Sequence, residues 1–301
     1  MRLAALFALF LSTGAVAQVG PAYVSEWKLR PDPPKPTFWD AQPARVAAAL
    51  ARLKPQDPAR RDVYVITVAA GGAQPLFDHE AKVARDVLST YFGESDHALV
   101  LSNRVPDADV PLATPVNVAA AIRGVAQILD PTQDLLVIYL AAHGSPDAAL
   151  QTDLPGPLPL PAVDAAGLAE MLDRAGIKRR VVIISACFAG SWIPALASNT
   201  TIVMAAARAN RTSFGCDLES KITFFGHALL EDAIRPGVPL AAAFAITKRS
   251  IAAREVAEHM TPPSDPQASI GRDMAALWGP TPPAAKSAVS GAGPRPSRPR
   301  P

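Results

Sequence analysis

Five short runs of nearly unbroken apolar residues punctuate this chain: 62–69 (DVYVITVA), 97–103 (HALVLSN), 134–141 (DLLVIYLA), 180–186 (RVVIISA) and 200–206 (TTIVMAA). They are rich in Val, Ile and Leu and show no alternation of apolar with polar positions. That pattern marks strands covered on both faces rather than strands with one wet side. Between them the period lengthens to that of amphipathic helices. HEAKVARDVLSTYFG (79–93) predicts a helix closed by Gly93, and further helices are predicted across Val116–Leu129, Asp164–Ala175, Thr223–Ile234 and Leu240–His259. Asp164 stands where an N-cap belongs. A shorter helix is predicted near Pro43–Leu53, and a proline-rich excursion, LPGPLPLP, occupies 154–161. Buried strands alternating with helices predict an α/β fold, a mostly parallel β-sheet sandwiched between α-helices. No internal repeat or second core is visible, so residues 61–279 read as one domain, with an N-terminal extension over 18–60 and a basic proline-rich tail over 280–301 expected to be disordered.

The first residues follow another logic. Arg2, the apolar run Leu3–Leu11 and the small-residue exit Ala15-Val16-Ala17 have the order of a cleavable secretory signal, which predicts a mature start at Gln18 and a periplasmic or secreted protein. The run is too short for a resident membrane helix, and no later stretch is long and apolar enough to span a bilayer. Of the 301 residues 49% are hydrophobic, enough for a substantial core. Charge argues against a nucleic-acid partner. The four cations of the tail, Lys286, Arg295, Arg298 and Arg300, leave the body from 18 to 279 with 24 basic against 27 acidic residues, which is no basic face.

Candidate chemistry gathers where open parallel sheets usually carry it, beyond the carboxyl ends of the strands. The third strand runs into Ala142-His143-Gly144 and the fourth into Ala186-Cys187-Phe188, with 44 residues between His143 and Cys187, room for one crossover helix. A right-handed crossover sets the two strands parallel in one sheet, with neighbours about 4.8 Å apart. His143 and Cys187 are therefore expected side by side, an imidazole beside a thiol, the arrangement of a cysteine nucleophile with its acid/base partner. The N–H groups of Gly144 and Cys187 are candidates for an oxyanion hole, and a helix opening at Cys187 would favour its thiolate. Cys216, in a loop with Asp217 and Glu219 close by, is expected to stay a thiol. The two cysteines are expected to remain free of each other, since oxidation would destroy a nucleophile.

At these residues the sequence resembles the legumain family of cysteine peptidases (peptidase C13), within the caspase-like clan and closest to its bacterial branch. The likeness rests on LVIYLAAHGS (136–145), VVIISACFAGS (181–191), MAAARANRTSFGC (204–216) and ITFFGHAL (222–229), and extends from about Asp62 to Gly271. It implies a caspase-like sheet and a cysteine-type endopeptidase acting on peptides or proteins without a cofactor, with His143 and Cys187 as the catalytic pair. Ser185, Ser213 and His227 are implied as substrate-binding positions. Two of these depart from the family: legumains of plants and animals carry Glu where this chain has Ser185 and Asp where it has His227. The pocket arginine near the first strand has no counterpart in GGAQPLFDHE (71–80), so a preference for cutting after asparagine does not carry over.

Two other readings stay open at this level. Ser185-Ala186-Cys187-Phe188-Ala189 has the small flanking residues of a nucleophile elbow, which in an α/β-hydrolase would take His227 or His259 as its base. A caspase-fold binding or scaffold domain with an idle dyad is the other. Metal chemistry is not expected: His79, His97, His143, His227 and His259 show no paired ligand spacing, and Cys187 and Cys216 form no CxxC. His79 and His97 read as surface or capping residues. Gly71-Gly72 lacks the lysine and spacing of a phosphate loop.

Overall fold

The computed structural model describes residues 34–104, 109–156, 158–217 and 219–280. The leader over 1–17, the first part of the extension and the tail from 281 lie outside these residues. Five parallel strands form where the apolar runs predict them: β1 (Val63–Ala69), β2 (Ala98–Ser102), β3 (Leu135–Ala141), β6 (Arg180–Ser185) and β7 (Thr201–Ala205). Every residue of β1, β3, β6 and β7 is buried, as uninterrupted apolar runs require. A large aliphatic side chain fully withdrawn from water contributes about 1.5–3 kcal/mol, and Ile66, Leu136, Ile138, Ile183 and Ile184 are all fully withdrawn.

The sheet order is β2-β1-β3-β6-β7-β8. Its sixth strand, β8 (Gln267–Ile270), is antiparallel to β7 and was not foreseen. QASI carries no apolar pattern because β8 serves as a backbone cover for an open sheet edge rather than as core. The proline-rich excursion contains a two-residue hairpin, β4 (Asp153–Leu154) with β5 (Leu158–Pro159).

Helices cover both faces. Pro75–Phe92, the segment 224–233 and Leu240–Ala257 pack together on one side. Gln42–Leu50, Pro115–Ala126, Ala165–Arg174 and Ile193–Leu196 pack on the other. A further short helix, Pro36–Asp40, precedes them. The Pro75–Phe92 helix begins four residues earlier than predicted because Pro75, with its preset φ, opens the first turn. It ends as predicted at Gly93, in the left-handed conformation at φ 76°. Asp164 caps its helix by accepting from Gly167 N at 2.8 Å. The predicted helix over 223–234 is a single α-turn, Phe224–Gly226, that widens into a π-helix over His227–Ala233. Among the described residues no helix is long and apolar enough to cross a membrane.

At the amino ends of the strands, away from the carboxyl edge, Asp62, Glu94 and His97 lie buried with one possible ligand atom each within 4.8 Å of the others. Arg60 already occupies that space, pairing with both oxygens of Glu94 and with Asp62 at 3.0 Å. His97 is therefore not a surface residue. Its ring lies on Tyr64 at 4.6 Å between centroids, with Nδ1 3.0 Å from Glu94.

Candidate active site

The register of β3 against β6 pairs Leu136 with Arg180 and ends at Ala141 with Ser185. His143 and Cys187 each follow two residues later, so neighbouring strand ends deliver both side chains to one edge. Ala142 N still donates to Ser185 O at 3.3 Å, which holds the ends together as they leave the sheet. Gly144 permits the approach: a Cβ there would stand 2.2 Å from the Cys187 carbonyl oxygen and 3.0 Å from Ala186 Cβ. Beyond Cys187 the chain turns sharply at Phe188, a non-glycine residue at φ 57°. The turn is fixed by Phe188 N donating to Arg211 O at 2.7 Å and Ser191 Oγ donating to Phe188 O at 2.7 Å.

The Cys187 sulfur is surrounded by donors. Ser213 N donates to it at 3.3 Å, and the thiol faces Ser213 O at 3.6 Å. The Cys216 thiol and the N–H groups of Gly144 and Cys187 itself lie near enough to act on it as well. Together these draw the thiol down to about 7, the Cys216 hydrogen bond contributing most and burial opposing it. Cys216 moves the other way, pushed up first by that same bond and then by burial, with the charges of Cys187 and Asp217 adding. Both cysteines are free. One expectation needs correction here. Cys187 does not open a substantial helix, since a four-residue 3-10 turn (Ala189–Trp192) and a four-residue helix (Ile193–Leu196) follow it; its thiolate is favoured by hydrogen bonds instead. Cys216, expected to stay a thiol, is held in that form and lines the same pocket as Cys187.

His143 is half-buried, with its ring edge-on to Phe77 at 5.1 Å and 82°. Burial lowers its affinity for a proton, while the negative charge of Asp153 opposes that shift. Asp153 is itself held by Ala73 N at 2.9 Å and Gln151 Nε2 at 2.8 Å. Among the described residues no hydrogen bond joins the His143 ring to Cys187, though both line one narrow pocket with Ser185, Ser213, Cys216 and Thr223. At neutral pH the arrangement presents an uncharged imidazole beside a partly ionised thiol, suited to passing a proton as the sulfur attacks.

Behind the pocket sits a residue that the sequence reading missed. Glu80 is fully buried, accepting from Tyr139 OH at 2.7 Å and Thr223 N at 2.8 Å. The Ser185 and Thr223 hydroxyls lie 3.0 Å apart beside it. Burial is the largest influence and pushes the Glu80 carboxyl up, toward its neutral form. Gly226 makes room for it, since a Cβ there would fall 2.5 Å from Glu80 Cδ. The available signal was its place on the buried stripe Leu76, Phe77, Glu80, Ala81, Ala84, Leu88, where a carboxylate has no reason to be unless it is bonded. Because the folded carboxyl takes up its proton more readily than the unfolded one, its contribution to stability is complete at low pH and is lost as pH rises through its folded value. Glu80→Gln should therefore flatten the fall of stability with rising pH that begins above the ordinary carboxyl range, by up to about 1.4 kcal/mol per pH unit. Thermal melts of both proteins across pH check this, and parallel curves would count against it.

The other candidates are distributed unevenly. Ser185 and Ser213 line the pocket around Cys187. His227 does not: it is 43% exposed at the start of the π-helix, 3.5 Å from Glu231 and 3.4 Å from Asp232. His259 is exposed past the end of the Leu240–Ala257 helix and does not line the pocket either. A wider hollow of about 270 Å³, lined by Gln74, His79, Asp217, Glu219 and Lys221 among others, lies alongside. Gln74 joins the two by donating to Cys216 O at 3.2 Å.

Comparison with known proteins follows from this geometry. The family model described as the peptidase C13 family matches residues 114–272, which contain His143, Cys187, Ser213 and Cys216. Among solved structures the chain is similar to caspase-1 from Spodoptera frugiperda, at 14% identity and a TM-score of 0.49, over 72% of this chain and 93% of that one. None of the curated proteins matches the sequence.

Proposed function

The chain belongs to the peptidase C13 family, and from that premise we propose that it is a cysteine-type endopeptidase in which Cys187 is the nucleophile and His143 its proton acceptor and donor. One observation carries the reading: the β3–β6 register brings both side chains to one edge, where they line one narrow pocket. The Cys187 sulfur attacks the carbonyl carbon of the bound peptide as a thiolate, its proton having left to His143 or to solvent. The carbonyl oxygen takes up negative charge and is held by the N–H groups of Gly144 and Cys187. When that tetrahedral species collapses, His143 passes a proton, taken from the thiol or relayed from solvent, to the departing amine. Water, activated by the freed imidazole, then hydrolyses the thioester. Ser185 and Ser213 border the space for the side chain before the cut bond, and Glu80 behind Ser185 and Thr223 makes one wall of that space polar.

Profiling a peptide library with purified protein tests the reading. Cleavage should rise as pH climbs through about 7, as Cys187 loses its proton, and should stop after alkylation with iodoacetamide. An intact, well-folded protein that cleaves no library peptide would favour a binding domain instead.

Export is part of the same proposal. The charge, apolar core and small-residue exit of residues 1–17 support removal after Ala17. Intact-mass measurement on exported protein should give a chain beginning at Gln18, and retention of residues 1–17 would overturn this.

A further inference from the structure

The two cysteines are 29 positions apart in the chain, yet both line the same narrow pocket, and each is the largest influence on the other's proton affinity. The segment carrying Cys216 holds the Cys187 sulfur through the Ser213 backbone, whose N–H donates to it and whose carbonyl oxygen faces it. It is anchored on both flanks. Gln74 Nε2 donates to Cys216 O at 3.2 Å, and Phe224 N donates to Phe214 O at 3.0 Å. A peptidase mechanism makes and breaks covalent bonds at one thiol, and leaves the second free to react. Simple packing does not explain it either, since Cys216 is only half-buried and lines the pocket that holds the Cys187 sulfur.

We propose that Cys216 is a resolving thiol, so that a hydroperoxide oxidises Cys187 and Cys216 then closes a Cys187–Cys216 disulfide that switches the site off reversibly. The consequence for activity rests on Cys187 being the nucleophile; the disulfide chemistry does not. In the first step the Cys187 thiolate attacks one oxygen of the hydroperoxide. An S–O bond forms, the O–O bond breaks, and the other oxygen leaves as an alcohol, or as water when the oxidant is hydrogen peroxide. Cys187 gives up two electrons and becomes a sulfenic acid. In the second step the Cys216 sulfur attacks the Cys187 sulfur. The S–S bond forms as the S–O bond breaks, and hydroxide departs with the Cys216 proton as water. Two thiols and one hydroperoxide thus become a disulfide, an alcohol and water.

The order of events is built into the pair. While Cys187 is a thiolate, its charge and the shared hydrogen bond hold Cys216 protonated, so Cys187 is the thiol that meets the oxidant. Oxidation removes that negative charge, and with it the main restraint on Cys216. Both thiols line one narrow pocket, so side-chain rotation there is the motion that would bring the sulfurs to bonding geometry. Without a resolving thiol, continued oxidation carries a sulfenic acid to the sulfinic state, from which an ordinary dithiol brings no return.

The test uses reduced, purified protein treated with hydrogen peroxide at neutral pH. Peptide mapping without reductant should find Cys187 joined to Cys216, with peptide cleavage lost in step and restored by dithiothreitol. Cys216→Ser, compared with its own untreated rate, should lose cleavage under sustained peroxide without recovery, its Cys187 carrying two added oxygens. The proposal is overturned if Cys187 of the unsubstituted protein is over-oxidised while Cys216 remains a free thiol, or if Cys216→Ser recovers as fully as the unsubstituted protein. Should the reduced protein cleave no peptide at all, the mapping alone still decides whether the disulfide forms, and the failure would belong to the peptidase reading.

Discussion

Replacing Cys187 with alanine should lower peptide cleavage by about 10⁴-fold or more, since losing the nucleophile of a catalytic group that acts as a unit removes nearly the whole chemical advantage. Stability should change little, by about 1 kcal/mol. The sulfur lies in a turn beyond β6 rather than in the strand, and the chain there is fixed by Phe188 N to Arg211 O and Ser191 Oγ to Phe188 O, bonds that the substitution leaves alone. Steady-state rates on one library-derived peptide, with a thermal melt beside them, measure both effects. Cleavage that survives in Cys187→Ala at more than a tenth of the original rate would remove Cys187 from the chemistry.

His143→Ala should cost about 10²–10⁴ in kcat, the usual contribution of a positioned acid/base, and its pH profile is more telling than its rate. In a site where an imidazolium holds the thiolate, deleting the histidine returns the thiol to its ordinary range near 8.5. Here the largest influence lowering Cys187 is the Cys216 hydrogen bond, followed in the same direction by backbone N–H groups, while burial keeps His143 from holding a proton. The residual activity of His143→Ala should therefore still rise through about 7. Removing the Cys216 donor, as in Cys216→Ala, should instead move that rise to higher pH. A rise near 8.5 in His143→Ala would mean that the histidine, and not Cys216, stabilises the thiolate.

Much of this molecule was legible before any coordinates. The strands of the parallel sheet are long, apolar and β-branched, and their ends fall within a residue or so of the pattern because burial on both faces leaves no polar position to blur them. The neighbourhood of His143 and Cys187 followed from the handedness of one crossover. What escaped notice depends on contacts between segments with no local signature. β8 is held by backbone bonds to β7, so its four residues needed no hydrophobicity to be placed. Glu80 is satisfied by Tyr139 and Thr223, 59 and 143 positions away. Cys216 was read by the acidic neighbours in its loop, whereas the fold sets it in the same pocket as Cys187. His227 aligns with a pocket position by sequence, but Gly226 is the residue that packs toward the pocket, against Glu80, and the π-helix turns His227 toward Glu231 and Asp232.

The antiparallel course of β8 also decides where the chain goes next. Ile270 pairs with Ile202 near the start of β7, and Asp273 N donates to Asn199 O before that strand begins. Trp278 then packs on Phe244 at 5.8 Å, and Gly279 rests against Pro239, which precedes the Leu240–Ala257 helix. The last described residues thus lie at the pole opposite Cys187. A solid support, a reporter or a second protein joined after Pro280 would therefore start from the far side of the molecule and leave the approach to the cleft open.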